Sequence, residues 1–498
     1  ELKNAGAIPF DLSGLAFTSG ITFAFTNGTL LAPGQLFVLA RNTAQFASRY
    51  PGVTVNGLYS GKLDNVGETL TLSRPLGGGL VLSVTYNDAA PWPVLADGFG
   101  FSLVPRDAMA NPAPNEGVNW RASSQPFGSP GADDPEPGLP PILINEILSA
   151  STPPLVDAIE LFNPTSTNVH VGGWFLSDDR AWPTKFRVPD GTNIPPGGHI
   201  VFDETQFNLA PGEPASFALS ALGDSVYLFS GDARTNLTGY SHGFAFGAAA
   251  DGASFGRHVI STGEEQFPAQ SALTLGGPNA GPRVGPVVIS EIMYHPPPGG
   301  DEFVELRNIT TNAVDLFDPA NPTNTWMLAG LNYALPTHVT LAANSFLLLT
   351  PTDPAAFRTK YGVPVSVLIL GPYPGVLQDS GERLELKHPG PPDTNGVPFI
   401  TVDEVRYNDK FPWPPLADGF GPSLQRLDPT AYGNDPAHWR AAAPGLGADF
   451  AGGVAPAITA QPVSQTVLRS ATVQFSVAAS GSAPLQYQWR FHGINLPS

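Results

Sequence analysis

Cysteine is absent from the 498 residues, which removes disulfides, thiolate metal sites and cysteine nucleophiles together. Cations are sparse: 24 Lys and Arg stand against 43 Asp and Glu, giving a formal net charge of −19 at pH 7. Such a chain is repelled by phosphate backbones, and no segment carries a basic stripe, so no nucleic-acid partner is expected. No apolar run reaches the roughly 18–20 residues of a membrane helix, so no transmembrane segment is expected. The nine His are scattered without HExxH or other paired spacing, and no GxSxG elbow occurs. Zinc chemistry and a hydrolase serine therefore have no sequence support.

What is present points to packed cores. Hydrophobic residues make up 42% and aromatics 10%, more than a disordered chain carries. The 54 Gly and 54 Pro fall between short apolar runs, as turn residues do in an all-β protein. The length suggests about three or four domains.

Self-comparison decides the organisation. YNDAAPWPVLADGFGFSL at residues 86–103 returns as YNDKFPWPPLADGFGPSL at residues 407–424. Each is followed by Trp-Arg, at Trp120–Arg121 and Trp439–Arg440. A weaker middle copy keeps Ala250, Asp251 and Gly252, then Ser254, Phe255 and Arg257. ILINEILSA at 142–150 matches VVISEIMYH at 287–295, and AIELFN at 158–163 matches FVELRN at 303–308. The opening ELKN matches these second elements, so the first copy is expected to lack its first strand and to begin inside a domain. The boundaries read as 1–127, 142–275 and 287–447, with a partial unit at 457–498. Pro/Gly-rich joints at 128–141 and 276–286, and a Gly/Ala-rich stretch at 444–457, predict an elongated string of sandwiches.

Within a copy, QLFVLA (35–40) and SFLLLT (345–350) are too apolar for an open sheet face and read as central strands. ETLTLS (68–73) and ERLELK (382–387) alternate as half-buried strands do. Phe46 and Tyr50, like Phe357 and Tyr361, are four apart and predict a short helix in the first and third copies. Thr352 or Asp353 suits its cap and Pro354 its first turn. The middle copy shows no such helix.

The order INEI/SEIM, ELFN/ELRN, then a Trp-Pro element with ADGFGxSL and a nearby Arg resembles the lamin tail domain. It is similar to the versions found in multi-domain envelope or secreted proteins of bacteria. The resemblance covers nearly all of residues 1–450 in three copies; the middle copy departs by lacking both the helix and the PWP element. It implies tandem immunoglobulin-like β-sandwiches with a binding or tethering role and no catalytic residues. VQFSVAAS (473–480) and LQYQWRFHG (485–493) resemble strands B and C of an immunoglobulin-like domain, with Trp489 as the buried strand-C tryptophan.

The remaining candidate residues are acids and tryptophans. Glu146, Asp157 and Glu160 match Glu291, Glu302 and Glu305 at identical spacing, which suits either an oxygen-rich Ca²⁺ site or simple recurrence of a module. Asp157 and Glu160 are three apart on a strand, which tends to point them to opposite faces. No cofactor is otherwise expected. Trp92 and Trp413, each between prolines, are candidate binding residues that offer a flat face for a sugar or a protein, or plug the end of a sandwich. The ADGFG turns at 96–100 and 417–421 lack the following helix a phosphate loop needs. The expected function is non-catalytic: adhesion, tethering or spacing on a bacterial surface or secreted protein, extracellular, with an envelope protein or polysaccharide as partner. The alternative is a carbohydrate-binding accessory region of a larger secreted hydrolase.

Overall fold

In a computed structural model, all residues are described except 75–77, 111–112, 393–395, 449–456, 463–464, 466–473, 481–488, 492–493 and 496–498. Strand makes up 38% and helix 7%, so the protein is all-β. The chain forms two compact units. One comprises Glu1–Phe246, Asp251–Phe255 and Leu273–Asn279; the other comprises Gly247–Ala250, Gly256–Ala272 and Ala280–Ser498.

The third segment shows the architecture most fully. A six-stranded sheet runs in the order Leu368–Leu370, Phe346–Leu349, Phe303–Asn308, Val287–Met293, Ser423–Arg426, Trp439–Ala442. A four-stranded sheet runs Tyr333–Ala334, Met327–Ala329, Gly381–Pro389, Phe399–Asn408. Ile289, Val304 and Leu347 of the first sheet share one buried cluster with Leu328, Leu384 and Val405 of the second, so the sheets pack face to face. Side-chain alternation explains the pairing: Arg383, Glu385 and Lys387 leave the core face to Leu384 and Leu386. Phe346–Leu349 and Leu368–Leu370 are the parallel pair in this sheet. Parallel neighbours need a crossover, and helix Pro354–Tyr361 supplies it. Asp353 caps that helix through the Ala356 N–H, Pro354 opens it, and Phe357 is buried against Tyr361 at 4.6 Å between ring centroids.

The first segment repeats the device on a smaller scale. Leu39–Ala40 pairs in parallel with Gly57–Leu58 across helix Thr43–Arg49, which Asn42 caps. The expected single strand at 35–40 is divided into Leu36–Phe37 and Leu39–Ala40, because Val38 turns its N–H to the Asn56 side chain instead of a strand partner. A five-stranded sheet follows the order Gly78–Asn87, Gly67–Arg74, Ala16–Ser19, Ile21–Ala24, Ser60–Gly61.

The middle segment pairs His199–Asp203, Ala158–Phe162, Leu143–Leu148 and Ser254–Gly256 in one sheet. Phe186–Arg187, Phe175–Ser177, Gly223–Gly231 and Leu237–Gly247 form the other. It does carry a helix, contrary to the sequence reading. Glu204–Phe207 is a single turn, held by a capping box in which Asp203 and Gln206 satisfy each other's backbone N–H groups. Four residues are too few to show an aromatic pair four apart, so only the cap residues betray it.

Three other expectations change. The joint at 128–141 does not hold the first two segments apart. Asp133 and Asp134 fasten it to Lys3 and Arg121 of the first segment, and the two segments share a buried cluster of Leu95, Phe101, Ala122, Phe175 and Phe229. In the last unit, Ala457–Ala460 pairs with Ala478–Ser480, so less of the 473–480 run is strand than expected. The expected strand at 485–493 lies mostly outside the described residues; Trp489 is itself exposed, 6.2 Å from Phe475.

One asparagine recurs as the turn clamp of every copy. Asn4, Asn163 and Asn308, the last residues of ELKN, ELFN and ELRN, are buried. Each donates its amide to carbonyls of two loops: Ile8 and Leu31; Thr167, Ile194 and Pro195; Asn312, Leu341 and Ala342. Of these carbonyls, those of Leu31, Ile194 and Leu341 belong to buried residues, and a buried carbonyl left unpaired costs about 1–3 kcal/mol. We expect Asn308→Ala to lower the first unfolding transition in urea by about 2–4 kcal/mol, and Asn308→Asp by at least as much, since a carboxylate has no N–H to donate.

Candidate functional site

The bulge that sequence reasoning missed decides where the candidate acids lie. The register slips between Ile144 and Glu146, and again between Ile289 and Glu291. It leaves Glu146 directly opposite Glu160, and Glu291 directly opposite Glu305. Residues opposite each other on antiparallel strands point to one face, so each pair of carboxylates is side by side. All four are buried.

Their hydrogen bonds show what the pairs do. Glu146 accepts from the Ser254 hydroxyl and from the N–H and hydroxyl of Thr274. Glu291 accepts from the Ser423 hydroxyl, the Gln425 amide and the N–H groups of Gly445 and Leu446. Glu160 accepts from Asn145 and the Gly276 N–H; Glu305 accepts from Ser290 and the Gly447 N–H. The first copy has the second half of this arrangement: Glu1 accepts the Gly131 N–H at 2.5 Å. Gly131, Gly276 and Gly447 have φ of +83°, +91° and +100°, a conformation that brings the amide round to the carboxylate. Each clamp thus ties the exit of a sandwich to its early strands.

Burial pushes the Glu291 carboxyl above the ordinary carboxylate range, against the pull of its four donors. Burial does the same to Glu160, with the neighbouring Glu146 charge adding to it against the Asn145 and Gly276 donors. Asp157 and Glu302 are not part of either pair. Asp157 accepts from Ser151, and Glu302 from the Leu377 N–H at 2.9 Å. The six acids therefore do not converge on a common point. Among the described residues no group of three or more His, Asp or Glu is arranged to hold a metal ion. The oxygens that would face a Ca²⁺ ion face donors of the chain itself. A cavity of about 200 Å³ beside Glu291 and Glu305, lined also by Arg307 and Phe346, is smaller than the roughly 300–1,000 Å³ of ordinary ligand pockets.

Trp92 and Trp413 are 7% and 5% exposed, so neither offers an open stacking face. Trp92 packs on Trp120 at 5.8 Å, and Trp413 on Trp439 at 6.1 Å. The indole N–H of Trp120 donates to Pro114, and that of Trp439 to Gly433. Each pair closes one end of its sandwich. Around the Trp413–Trp439 pair, Phe411 and Phe420 remain 91% and 69% exposed.

The loop end of the first segment has a different use, which the sequence did not reveal. Val94, Leu95, Phe99 and Phe101 pack on Phe175, Tyr227, Phe229 and Leu237 of the middle segment. Arg180 of the middle segment donates to the Asp88 carbonyl at 2.7 Å, the Asp88 carboxylate at 3.0 Å and the Asp97 carboxylate at 3.1 Å. The signal was present in the strand that reads YLFS at 227–230, where the third copy has ELKH at 385–388: its outward positions are aromatic because they are covered. Sequence reasoning also missed the buried pair of Asp403 and Arg426, 2.7 Å apart, which holds the Ile289 peptide by both its N–H and its carbonyl. In the middle segment His242 accepts the equivalent Ile144 N–H.

The fold and its buried clamps define a β-sandwich protein. Residues 135–243 match the family model of the Lamin Tail Domain, which has an immunoglobulin-like fold. The match falls on the middle segment, which lacks the PWP element, so that element is not what the family model requires. No curated protein and no solved structure matches the chain.

Glu291→Gln sets an amide NH₂ among four donors, and we expect a loss of about 1–3 kcal/mol in urea unfolding at pH 7. Because the folded carboxyl holds its proton more tightly than the unfolded one, its contribution to stability is present below about pH 4.3 and is lost as pH rises through the raised value. The variant should lack that component of the pH profile.

His295 and Asp418 share a hydrogen bond with 2.6 Å between Nδ1 and Oδ1, which raises the His295 pKa above the ordinary histidine range. The pairing is complete below about pH 6.5 and is lost as pH rises through the raised value. The NMR titration midpoint of His295 should fall in Asp418→Asn.

Proposed function

We propose that this chain is a non-catalytic tethering or adhesive array, extracellular and part of a bacterial surface or secreted protein. On this reading, residues 1–127 and 287–447 are further lamin-tail-like copies flanking the matched one, and the unit from 457 begins an immunoglobulin-like domain. One observation carries the reading: the carboxylates best suited to chemistry are spent on the clamps. The glycine amide held by Glu1, Glu160 and Glu305 recurs at one position in all three segments, which supports common descent as structural modules. The docking of the first segment on the middle one supports a continuous array with a defined joint. An envelope protein or a polysaccharide remains the partner class. The carbohydrate-binding alternative finds both of its expected tryptophans covered.

The test uses the whole chain as bait against bacterial envelope fractions, beside a broad panel of hydrolase substrates. Retention of specific envelope components with no turnover is expected. Turnover that disappears in a Glu160→Gln/Glu305→Gln variant which still folds would overturn the reading. Retention of a polysaccharide, lost on replacing exposed aromatics such as Phe411, would select the alternative.

A further inference from the structure

The two PWP–ADGFG loop ends carry the same acids in different circumstances. Asp88 and Asp97 of the first segment correspond, residue for residue, to Asp409 and Asp418 of the third. The first pair is occupied by the Arg180 guanidinium, and the apolar residues around it are covered: Leu95 is fully buried and Phe99 packs on the middle segment. The third-segment pair has no such visitor among the described residues. Its Leu416 is only half-buried, and Phe420, the counterpart of Phe99, stands exposed beside Phe411.

The polar groups at this end are correspondingly incomplete. Asp409 has a buried carboxylate oxygen, Oδ1, without a hydrogen-bond partner. Tyr294 is fully buried, yet its hydroxyl also has no partner, and it lies within electrostatic reach of Asp379, Asp409 and Asp418. The cation nearest to hand is His295, which contacts Asp418 at 2.6 Å and Asp379 at 3.8 Å and is charged only when protonated. Of the three carboxylates around Tyr294, Asp418 and Asp379 have His295 beside them, which leaves the orphaned Asp409 oxygen and the Tyr294 hydroxyl. A planar guanidinium, with five donors in a fixed fork, is the side chain that fills such a place.

We propose that the Asp409–Asp418 end of the third segment is a docking site for an arginine presented by another β-sandwich beside an aromatic sheet face. The partner has the chemistry of the Arg180 turn and the Phe175–Phe229 face, which already fit the equivalent end of the first segment. Phe411 and Phe420 supply the apolar rim. The site deepens the tethering reading by naming one surface of the array and the kind of module that seats on it.

The whole chain can be titrated with a cyclised peptide of residues 174–188, which carries Arg180 between the Phe175–Ser177 and Phe186–Arg187 strands. One saturable site per chain is expected. Asp409→Asn/Asp418→Asn should weaken binding at least tenfold and Phe420→Ser several-fold. Replacing Arg180 of the peptide by lysine should also weaken it, because the fork is lost. Arginine methyl ester provides a second probe that needs no folded turn: amide signals of residues 409–420 should shift with it, and not with lysine methyl ester. The proposal is overturned if neither probe perturbs those residues, if lysine serves equally, or if Ca²⁺ alone fills the site. Retention of envelope components by the Asp409→Asn/Asp418→Asn variant, with the peptide site lost, would leave tethering intact and place its partner elsewhere.

Discussion

A carboxylate on the second strand accepting the N–H of one glycine near the exit is the contact on which each sandwich depends. Glu1 with Gly131, Glu160 with Gly276 and Glu305 with Gly447 perform it in turn. An antiparallel sandwich can satisfy its ladders from within, but the segment leaving it has no strand partner. Its amides need an acceptor, and in the third segment Glu291 answers two more of them, those of Gly445 and Leu446. The cost is a pair of adjacent buried acids in the middle and third segments, whose acidity is lowered at Glu160 and Glu291. That cost explains why the surrounding positions are hydroxyls and amides: Asn145 or Ser290, Ser254 or Ser423, Thr274 or Gln425.

Much of this was legible in the sequence as recurrence. ELKN, ELFN and ELRN announced equivalent strands, and the helix cap at Asp353–Pro354 was visible residue by residue. The meaning of the acids was not legible, for a definite physical reason. Strand periodicity alone assigns faces correctly only until a bulge, and the slips after Ile144 and Ile289 set each glutamate opposite its partner. For Trp92 and Trp413 the sequence left two readings open. Flanking prolines suggest an exposed loop, but the second Trp of each pair, about 28 residues on by sequence, folds back to cover the first.

Divergence among the copies follows from their neighbours. The outer face of the strand at 381–389 carries Arg383, Glu385 and Lys387, joined by ion pairs to one another and to Glu404. The same face in the middle segment presents Tyr227 and Phe229, and Arg180 stands at its margin. The middle segment differs from the other two where it receives the first segment. Its own clamp, turn asparagine and core were kept.

The clamp has a mechanical consequence. In the third segment, the chain enters along Val287–Met293 and leaves past Gly445–Gly447, and the carboxylate of Glu291 bonds the two directly. Tension applied at those points passes through the Glu291 and Glu305 side chains and the central strands. The sandwich is loaded across hydrogen bonds at its middle, and its peripheral strands and crossover helix carry little of the force.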